Sequence, residues 1–111
     1  MIASLPMYDR PETAEANDRL WQAVRTHLGY GPDRLTRDSD LWAHWEHPDL
    51  VLSQTCGLPF RTRLKGRVRL VAAPVYDLPD CPPGHYVSSF VARRDDPRDD
   101  PADFADAVLA Y

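Results

Sequence analysis

The segment Asp49-Leu50-Val51-Leu52-Ser53-Gln54-Thr55-Cys56-Gly57 places an uninterrupted apolar run directly before a polar turn. Such a run is typical of a strand buried on both faces. A second apolar run, Met1–Met7, contains Pro6 near its end and leads to Tyr8. Between the two runs, Pro11-Glu12-Thr13 has the proline and the acidic residue that favour a helix start. Strand, helix and strand in this order predict a crossover with parallel strands.

The remaining chain continues the same alternation. The first helix is predicted to end near Leu28 because Gly29 and Gly31 follow it, with an apolar stripe of Ala14, Leu20, Trp21, Val24 and Leu28. Further helices are predicted at 41–45, 58–64 and 101–107, and further strands at 68–73, 86–93 and 108–111. The sequence therefore predicts an α/β fold with a mainly parallel sheet flanked by helices. The proline-rich stretch 76–84 is predicted to separate a domain at 1–84 from a second segment at 85–111.

Composition restricts the classes of partner. The net charge of −4 and the isoelectric point near 5.4 argue against broad binding to nucleic acid or to an anionic membrane. The sequence contains no run of 18 apolar residues, and Met1 is followed by a strand-like segment rather than a secretory signal. We therefore expect no nucleic-acid partner and no export signal within this chain, which leaves a cytoplasmic location open.

Polar side chains follow both predicted strands, at the edge where open α/β sheets bind their ligands. The hydroxyls of Tyr8 and Thr55 and the backbone N–H groups of Cys56 and Gly57 would serve as donors, with Gln54 in the same turn. These groups predict a site for a small anion, although the Gln54–Gly57 stretch is also compatible with a simple strand-to-helix turn. On the predicted strand 86–93, Ser88 and Ser89 face opposite ways. Tyr86 shares a face with Ser88, and its ring either lines the same cleft or packs against the core.

Other constellations carry weaker signals. His44 and His47 are three residues apart, but Pro48 ends the helix there and no third ligand is placed, so we predict neither a metal nor a cofactor. Cys56 with His85 as a base lacks an orienting third group, so we predict no catalytic residue. Cys56 and Cys81 are expected to be unpaired thiols unless the chain reaches an oxidising compartment. Five basic residues alternate with other residues between 61 and 69: Arg61, Arg63, Lys65, Arg67 and Arg69. We expect them to form a solvent-exposed face, and the alternative is a surface that attracts phosphate or a partner.

Four stretches together resemble the phosphate/phosphite/phosphonate substrate-binding family of ABC transporters. They are Ser4–Tyr8, Pro11–Thr13, Asp49–Gly57 and Pro83–Pro97. The resemblance implies a type II periplasmic-binding-protein fold, in which two α/β lobes close on an anion. It also implies that Tyr8, Thr55 and Ser88 line the cleft as hydrogen-bond donors. Two positions depart from the pattern: Phe60 stands where a tyrosine is common, and His85 replaces an aromatic residue.

By this resemblance the chain covers the first lobe and the approach to the hinge, and it stops before the main anion-binding loop and the second lobe. The implied function is that of a solute-binding component, not an enzyme, with a small anionic ligand, a transporter permease as partner and a periplasmic location. Two alternatives stay open. One is an enzyme on the same fold, acting in thiamine-pyrimidine or menaquinone precursor synthesis. The other is a non-binding remnant that persists as a homo-oligomer through an exposed sheet edge.

Overall fold

The computed structural model describes residues 1–38 and 40–108. Two short strands, β1 (Ile2–Ala3) and β2 (Leu50–Leu52), pair in parallel. Ile2 lies opposite Leu50 and Ala3 opposite Leu52, with an irregularity between the two pairs. The pairing continues past the strand ends, since the backbone N–H of Ser4 donates to the carbonyl of Leu52 at 3.0 Å. The predicted parallel arrangement of the two apolar runs is thus confirmed.

Helix α1 (Ala14–Leu28) connects the two strands and ends where the sequence predicted. Gly29 follows with φ 75°, and its N–H donates to the carbonyl of Arg25, which closes the last turn. The predicted apolar stripe is only partly correct. Trp21 is fully buried, whereas Leu20 and Leu28 are 50% and 44% exposed, because the sheet that α1 covers is narrow.

The core lies between α1, β1 and the loop after α1. Its buried members are Ala3, Leu5, Trp21 and Leu35, with Val24, Val51 and Leu52 packed against them. The indole N–H of Trp21 donates to the carbonyl of Pro32 at 2.9 Å. On the side of β1 away from β2, the N–H of Thr36 donates to the carbonyl of Ala3 at 2.7 Å. The loop is therefore hydrogen-bonded to the strand as well as packed on the helix.

Two short helical elements flank β2. Helix α2 (Leu41–Trp45) begins at Asp40, whose carboxylate accepts from the N–H of Ala43 at 3.0 Å. Helix α3 (Gly57–Pro59) continues into a π-helical turn at Phe60–Leu64. The helices predicted at 41–45 and 58–64 are thus confirmed, the second in a wider form than an α-helix.

The chain divides into two compact units, residues 1–70 and 71–111. In the described part of the second unit, 71–108, no residue is buried, and its regular structure is a 3₁₀ helix at Pro101–Phe104. This short element takes the place of the helix predicted at 101–107. The predicted boundary between residues 84 and 85 stays a prediction.

The strands predicted at 68–73 and 86–93 are wrong, because the structure gives neither stretch a strand assignment. Val68 makes a single bridge with Lys65, and beyond it Leu70 and Val71 are 69% and 76% exposed. A strand requires a partner for its backbone and cover for its side chains, and the described chain supplies neither here. The fifth predicted strand, 108–111, lies outside the described residues except for Val108. What remains is a small mixed α/β domain with helices and a two-stranded parallel sheet.

Candidate functional site

The carboxyl ends of β1 and β2 leave the sheet at the same edge, because the strands are parallel. Immediately beyond the strands, the hydroxyls of Ser4 and Ser53 lie 2.7 Å apart. Ser4 is fully buried, so this contact fixes the two chain segments against each other as they leave the sheet. The first segment then runs to Tyr8 and the second to Thr55. The structure therefore brings the backbone leading to both predicted donors to one edge.

Tyr8 lies in a tight turn between β1 and α1. Its φ of 69° is in the left-handed region, which residues other than glycine adopt infrequently. The carbonyl of Tyr8 accepts from the N–H of Arg10 at 3.1 Å and from the hydroxyl of Thr13. The same hydroxyl accepts from the N–H of Arg10 at 3.0 Å. These hydrogen bonds hold the turn in its strained conformation, and Tyr8 as a residue is 61% exposed.

Asp9 anchors this turn to α1 and to the loop. Its carboxylate accepts from the side-chain amide of Asn17 at 2.9 Å and from the Nε of Arg37 at 2.7 Å. Arg37 also donates to the carboxylate of Asp18 at 2.8 Å. Burial raises the pKa of Asp9, but the hydrogen bonds from Arg37 and Asn17 and the charge of Arg37 outweigh it and hold that pKa below its ordinary value. Asp9 is therefore an ionised carboxylate whose charge is compensated locally.

The turn after β2 is fixed through its backbone. The indole N–H of Trp45 donates to the carbonyl of Gln54 at 2.9 Å, which ties α2 to the turn. The side-chain oxygen of Gln54 is buried and has no hydrogen-bond partner within the described chain. Thr55 and Cys56 follow, and the hydroxyl of Thr55 donates to the carbonyl of Cys56 at 3.3 Å. Cys56 is an exposed free thiol, and Gly57 begins α3.

A groove of about 440 Å³ opens beside the Tyr8 turn, between the start of α1, residues 36–38 and α2. Its polar lining comes from Asp9, Arg10, Arg37, Asp38 and His44. The seven predicted site residues do not line it: Tyr8, Gln54, Thr55, Cys56, Gly57, Tyr86 and Ser88. This groove thus lies beside the Tyr8 turn without including the predicted donors.

His44 forms part of the groove wall and is almost fully buried. Its Nε2 is hydrogen-bonded to the carboxylate of Asp38, and its Nδ1 is buried with no partner among the residues described. His44 is therefore paired with a carboxylate across a loop, rather than with His47 as the metal interpretation required. The imidazole of His47 instead accepts from the N–H of Asp49 at 3.0 Å.

Sequence reasoning missed Asp9, Arg37 and Asp38 as parts of this edge. Asp9 could have been found, because it directly follows Tyr8 beyond the predicted end of a strand. Arg37 gave no local signal, since it reaches Asp9 across 28 residues of sequence. Tyr86 and Ser88 belong to the second unit, where both are exposed. Their predicted role stays a prediction, and the site described here consists of residues from the first unit.

The alternating basic residues are exposed, as predicted, but two of them are engaged. Glu46 accepts two hydrogen bonds from Arg63, at 2.8 and 2.6 Å, and a further one from Arg67. The guanidinium of Arg63 also lies 4.5 Å from the ring centroid of Trp42. These contacts join the π-helical turn to α2 and leave Arg61, Lys65 and Arg69 as the exposed remainder.

Comparison of the chain with protein-family models, with curated proteins and with solved structures finds no match. No helix in the described ranges is both long and apolar enough to cross a membrane. Within those same ranges, no three His, Cys, Asp or Glu side chains are grouped so that they could hold a metal ion.

Proposed function

We propose that the chain is the ligand-binding first lobe of a solute-binding protein for a phosphorus oxyanion, namely phosphate, phosphite or a phosphonate. The proposal includes the finer architecture of a lobe of the type II periplasmic-binding-protein fold. It also includes a transporter permease as the partner and a periplasmic location. The resemblance of the four sequence stretches gives the proposal its ligand class.

The observation that carries the proposal is the shared edge at which β1 and β2 end. In open α/β sheets, ligands bind outside the carboxyl ends of the strands. The hydrogen bond between Ser4 and Ser53 holds the two exits together. Each exit leads within a few residues to a hydroxyl group, on Tyr8 or on Thr55. A tetrahedral oxyanion has several acceptor oxygens, which suits a set of donors drawn from two neighbouring turns.

The charges at this edge favour neutral donors as the main source of affinity. The carboxylate of Asp9 lies beside Tyr8, but Arg37 and Asn17 already occupy its oxygens. An anion at Tyr8 would therefore meet a compensated carboxylate rather than a free one. Hydroxyl and backbone N–H donors bind oxyanions without a salt bridge, and their geometry discriminates between anions better than a single exposed cation does.

The test is a titration of the whole chain with phosphate, phosphite and methylphosphonate, with sulfate as the comparison anion. Tryptophan fluorescence reports melting, and ³¹P NMR reports the bound ligand. A ligand at about 100 times its Kd adds roughly 2.7 kcal/mol to the free energy of unfolding. For a domain of this size, that corresponds to a Tm increase of about 10–20 °C at 4–8 °C per kcal/mol.

The variants Tyr8→Phe and Thr55→Val remove one hydroxyl each and should weaken binding by roughly fivefold, since a lost hydrogen bond is worth about 1 kcal/mol. Tyr30→Phe is the matched control, because Tyr30 is 57% exposed, close to the 61% of Tyr8. Equal affinities in Tyr8→Phe and in the parent chain would remove Tyr8 from the site. A new ³¹P signal from a converted ligand would contradict a pure binding role and favour the enzyme alternative.

A further inference from the structure

Tyr8 combines a costly backbone conformation with an exposed position. Its φ of 69° is one that bulky residues other than glycine rarely adopt. Glycine or asparagine would meet the backbone requirement of this turn with less strain. Tyr8 is 61% exposed, so burial in the core does not account for a tyrosine here. A strained and exposed aromatic residue of this kind points to a role for its side chain.

Two side chains at the start of α1 are hydrogen-bonded to the Tyr8 turn. Thr13, the residue before α1, donates its hydroxyl to the carbonyl of Tyr8 and accepts from the N–H of Arg10 at 3.0 Å. Asn17 donates its side-chain amide to the carboxylate of Asp9 at 2.9 Å. Residues four apart lie on the same face of a helix. One face of the helix start therefore contacts three consecutive residues of the turn.

The hydroxyl of Thr13 is used by the turn rather than by the helix. A threonine at the N-cap of a helix usually accepts from a backbone N–H in the first turn. Within the described residues, the Thr13 hydroxyl makes no such capping bond and contacts residues 8 and 10 instead. Asp9, by contrast, stays anchored without Asn17, because Arg37 also donates to it at 2.7 Å. Thr13 is therefore the side chain at the helix start that fixes the backbone of the turn.

We propose that Thr13 is a positioning residue for the proposed anion site, because it holds Tyr8 in the left-handed conformation from which the tyrosine hydroxyl donates to the ligand. The inference rests on the proposed function, since it requires an oxyanion at Tyr8. Without the Thr13 hydroxyl, the backbone of Tyr8 relaxes toward negative φ, where a tyrosine is unstrained. A ligand that binds one of two conformations loses affinity in proportion to the population of that conformation. Strain of this kind predicts that the affinity falls roughly fivefold to thirtyfold.

Titration of whole-chain variants with phosphate, phosphite and methylphosphonate measures this loss of affinity. Thr13→Val keeps the branched shape without the hydroxyl and should bind more weakly, whereas Thr13→Ser keeps the hydroxyl and should bind like the parent chain. Thr26→Val is the matched control, because the hydroxyl of Thr26 donates to the carbonyl of Gln22 at 2.8 Å, within α1. It should leave the affinity unchanged. Tryptophan fluorescence establishes that each variant is folded at the temperature of the titration.

A double-mutant cycle shows whether Thr13 acts through the hydroxyl of Tyr8. In the Tyr8→Phe chain, the ligand no longer gains a hydrogen bond from the side chain of residue 8. Adding Thr13→Val to that chain should therefore leave the affinity unchanged. A merely structural role of Thr13 would instead lower the affinity by the same factor in both backgrounds.

The conformation of the turn can be measured by NMR without any anion. At positive φ the amide proton of a residue lies close to its own Hα, which gives a strong NOE between the two. We expect this NOE to be strong for Tyr8 in the parent chain and in Thr13→Ser, and weaker in Thr13→Val.

Three outcomes would overturn the positioning role alone. An unchanged NOE in Thr13→Val would mean that other contacts hold the turn. A weakened NOE with the affinity of the parent chain would mean that binding does not depend on this conformation. Equal losses of affinity in the two backgrounds of the cycle would mean that Thr13 does not act through Tyr8. A parent chain that binds none of the three anions would overturn the proposed function and this inference together, and the titration of the parent chain alone identifies that case.

Discussion

Gly31 lies against the ring of Trp21 with a backbone conformation that favours glycine. Its φ is 124°, and a Cβ atom placed on it would lie 2.9 Å from two carbons of the indole. The ring is fully buried and donates to the carbonyl of Pro32, so it has no room to move away. We expect Gly31→Ala to lower the free energy of unfolding by at least about 2 kcal/mol, through overpacking and backbone strain together.

Urea unfolding followed by tryptophan fluorescence measures this loss. Gly29→Ala is the control, because Gly29 also has a positive φ, of 75°, but a Cβ there would meet nothing within 4 Å. The free energy of unfolding of Gly29→Ala should fall only by the cost of backbone strain, about 1 to 2 kcal/mol. Equal losses in the two variants would mean that the contact with Trp21 does not constrain position 31.

The ionisation of Asp9 makes the free energy of unfolding of the first unit depend on pH. The pKa of Asp9 in the folded chain lies below its ordinary value of about 4, because hydrogen bonds and charge from Arg37 outweigh burial. The unfolded chain therefore binds the proton first as the pH falls. The stabilisation is fully present above about pH 4, and it is lost as the pH falls toward the folded pKa.

We expect Asp9→Asn to lose stability at neutral pH and to show a smaller further loss between pH 5 and pH 2.5 than the parent chain. Urea unfolding at a series of pH values gives both quantities. Asp33→Asn serves as the control, since Asp33 is 87% exposed and pairs with Arg25 at the surface. Parallel pH profiles for Asp9→Asn and the parent would show that Asp9 is not the titrating group.

At the scale of elements, Glu46 joins α2 to the π-helical turn at Phe60–Leu64. Its carboxylate binds the guanidinium of Arg63 through both oxygens and that of Arg67 through one. Burial raises the pKa of Glu46, but the hydrogen bonds from the two arginines outweigh it and keep that pKa below its ordinary value. Isolated surface pairs contribute little, but a bidentate contact within a network holds a fixed geometry.

We expect Glu46→Gln to free the turn and to speed tryptic cleavage after Arg61, Arg63 and Arg67, because a protease requires a locally opened backbone. Mass spectrometry of the early fragments measures the rate at each site. Glu12→Gln is the control, since Glu12 makes only a loose exposed pair with Arg10, at 3.8 Å. The difference in cleavage rate between the Glu46→Gln and Glu12→Gln variants should become smaller as salt is added, because salt screens charges. A difference that persists in high salt would contradict an electrostatic contact.

The elements that the sequence predicted correctly carry their signals locally. Helix α1 has Pro11 before it and Gly29 after it, α2 has Asp40 as its cap, and β1 and β2 are short apolar runs. The stretches at 68–73 and 86–93 have equally good strand composition. Neither stretch forms a strand, because side-chain composition favours a strand only where a neighbouring strand is present to accept and donate its backbone hydrogen bonds.

The sequence predicted the shared edge at which β1 and β2 end, whereas the predicted anion site at that edge stays a prediction. The order strand, helix and strand predicted parallel strands, and parallel strands end at one edge, near Tyr8 and Thr55. It gave no information on the left-handed turn at Tyr8, which depends on hydrogen bonds to Thr13. Nor did it reveal the contact between Asp9 and Arg37, because contacts across a long sequence separation leave no periodic pattern.

Among residues 1–38 and 40–108, every buried residue belongs to the first unit. The buried apolar side chains run from Ala3 to Leu64, and all three tryptophans lie in the same range. The described part of the second unit contains no buried residue. Folding requires buried apolar area to offset the loss of chain entropy. The cooperative stability of the protein should therefore come from residues 1–70.

Limited chymotrypsin digestion of the whole chain tests this division. We expect the first cuts after Tyr76, Tyr86 or Phe90, which are 46%, 73% and 83% exposed and lie in backbone without regular structure. The product that retains residues 1–70 should unfold in urea with the same tryptophan-monitored midpoint as the intact chain. Tyr30 is an internal comparison, since it is 57% exposed but belongs to the first unit. Early cleavage at Tyr30, or a lower midpoint after the second unit is cut, would show that residues 71–108 help to stabilise the core.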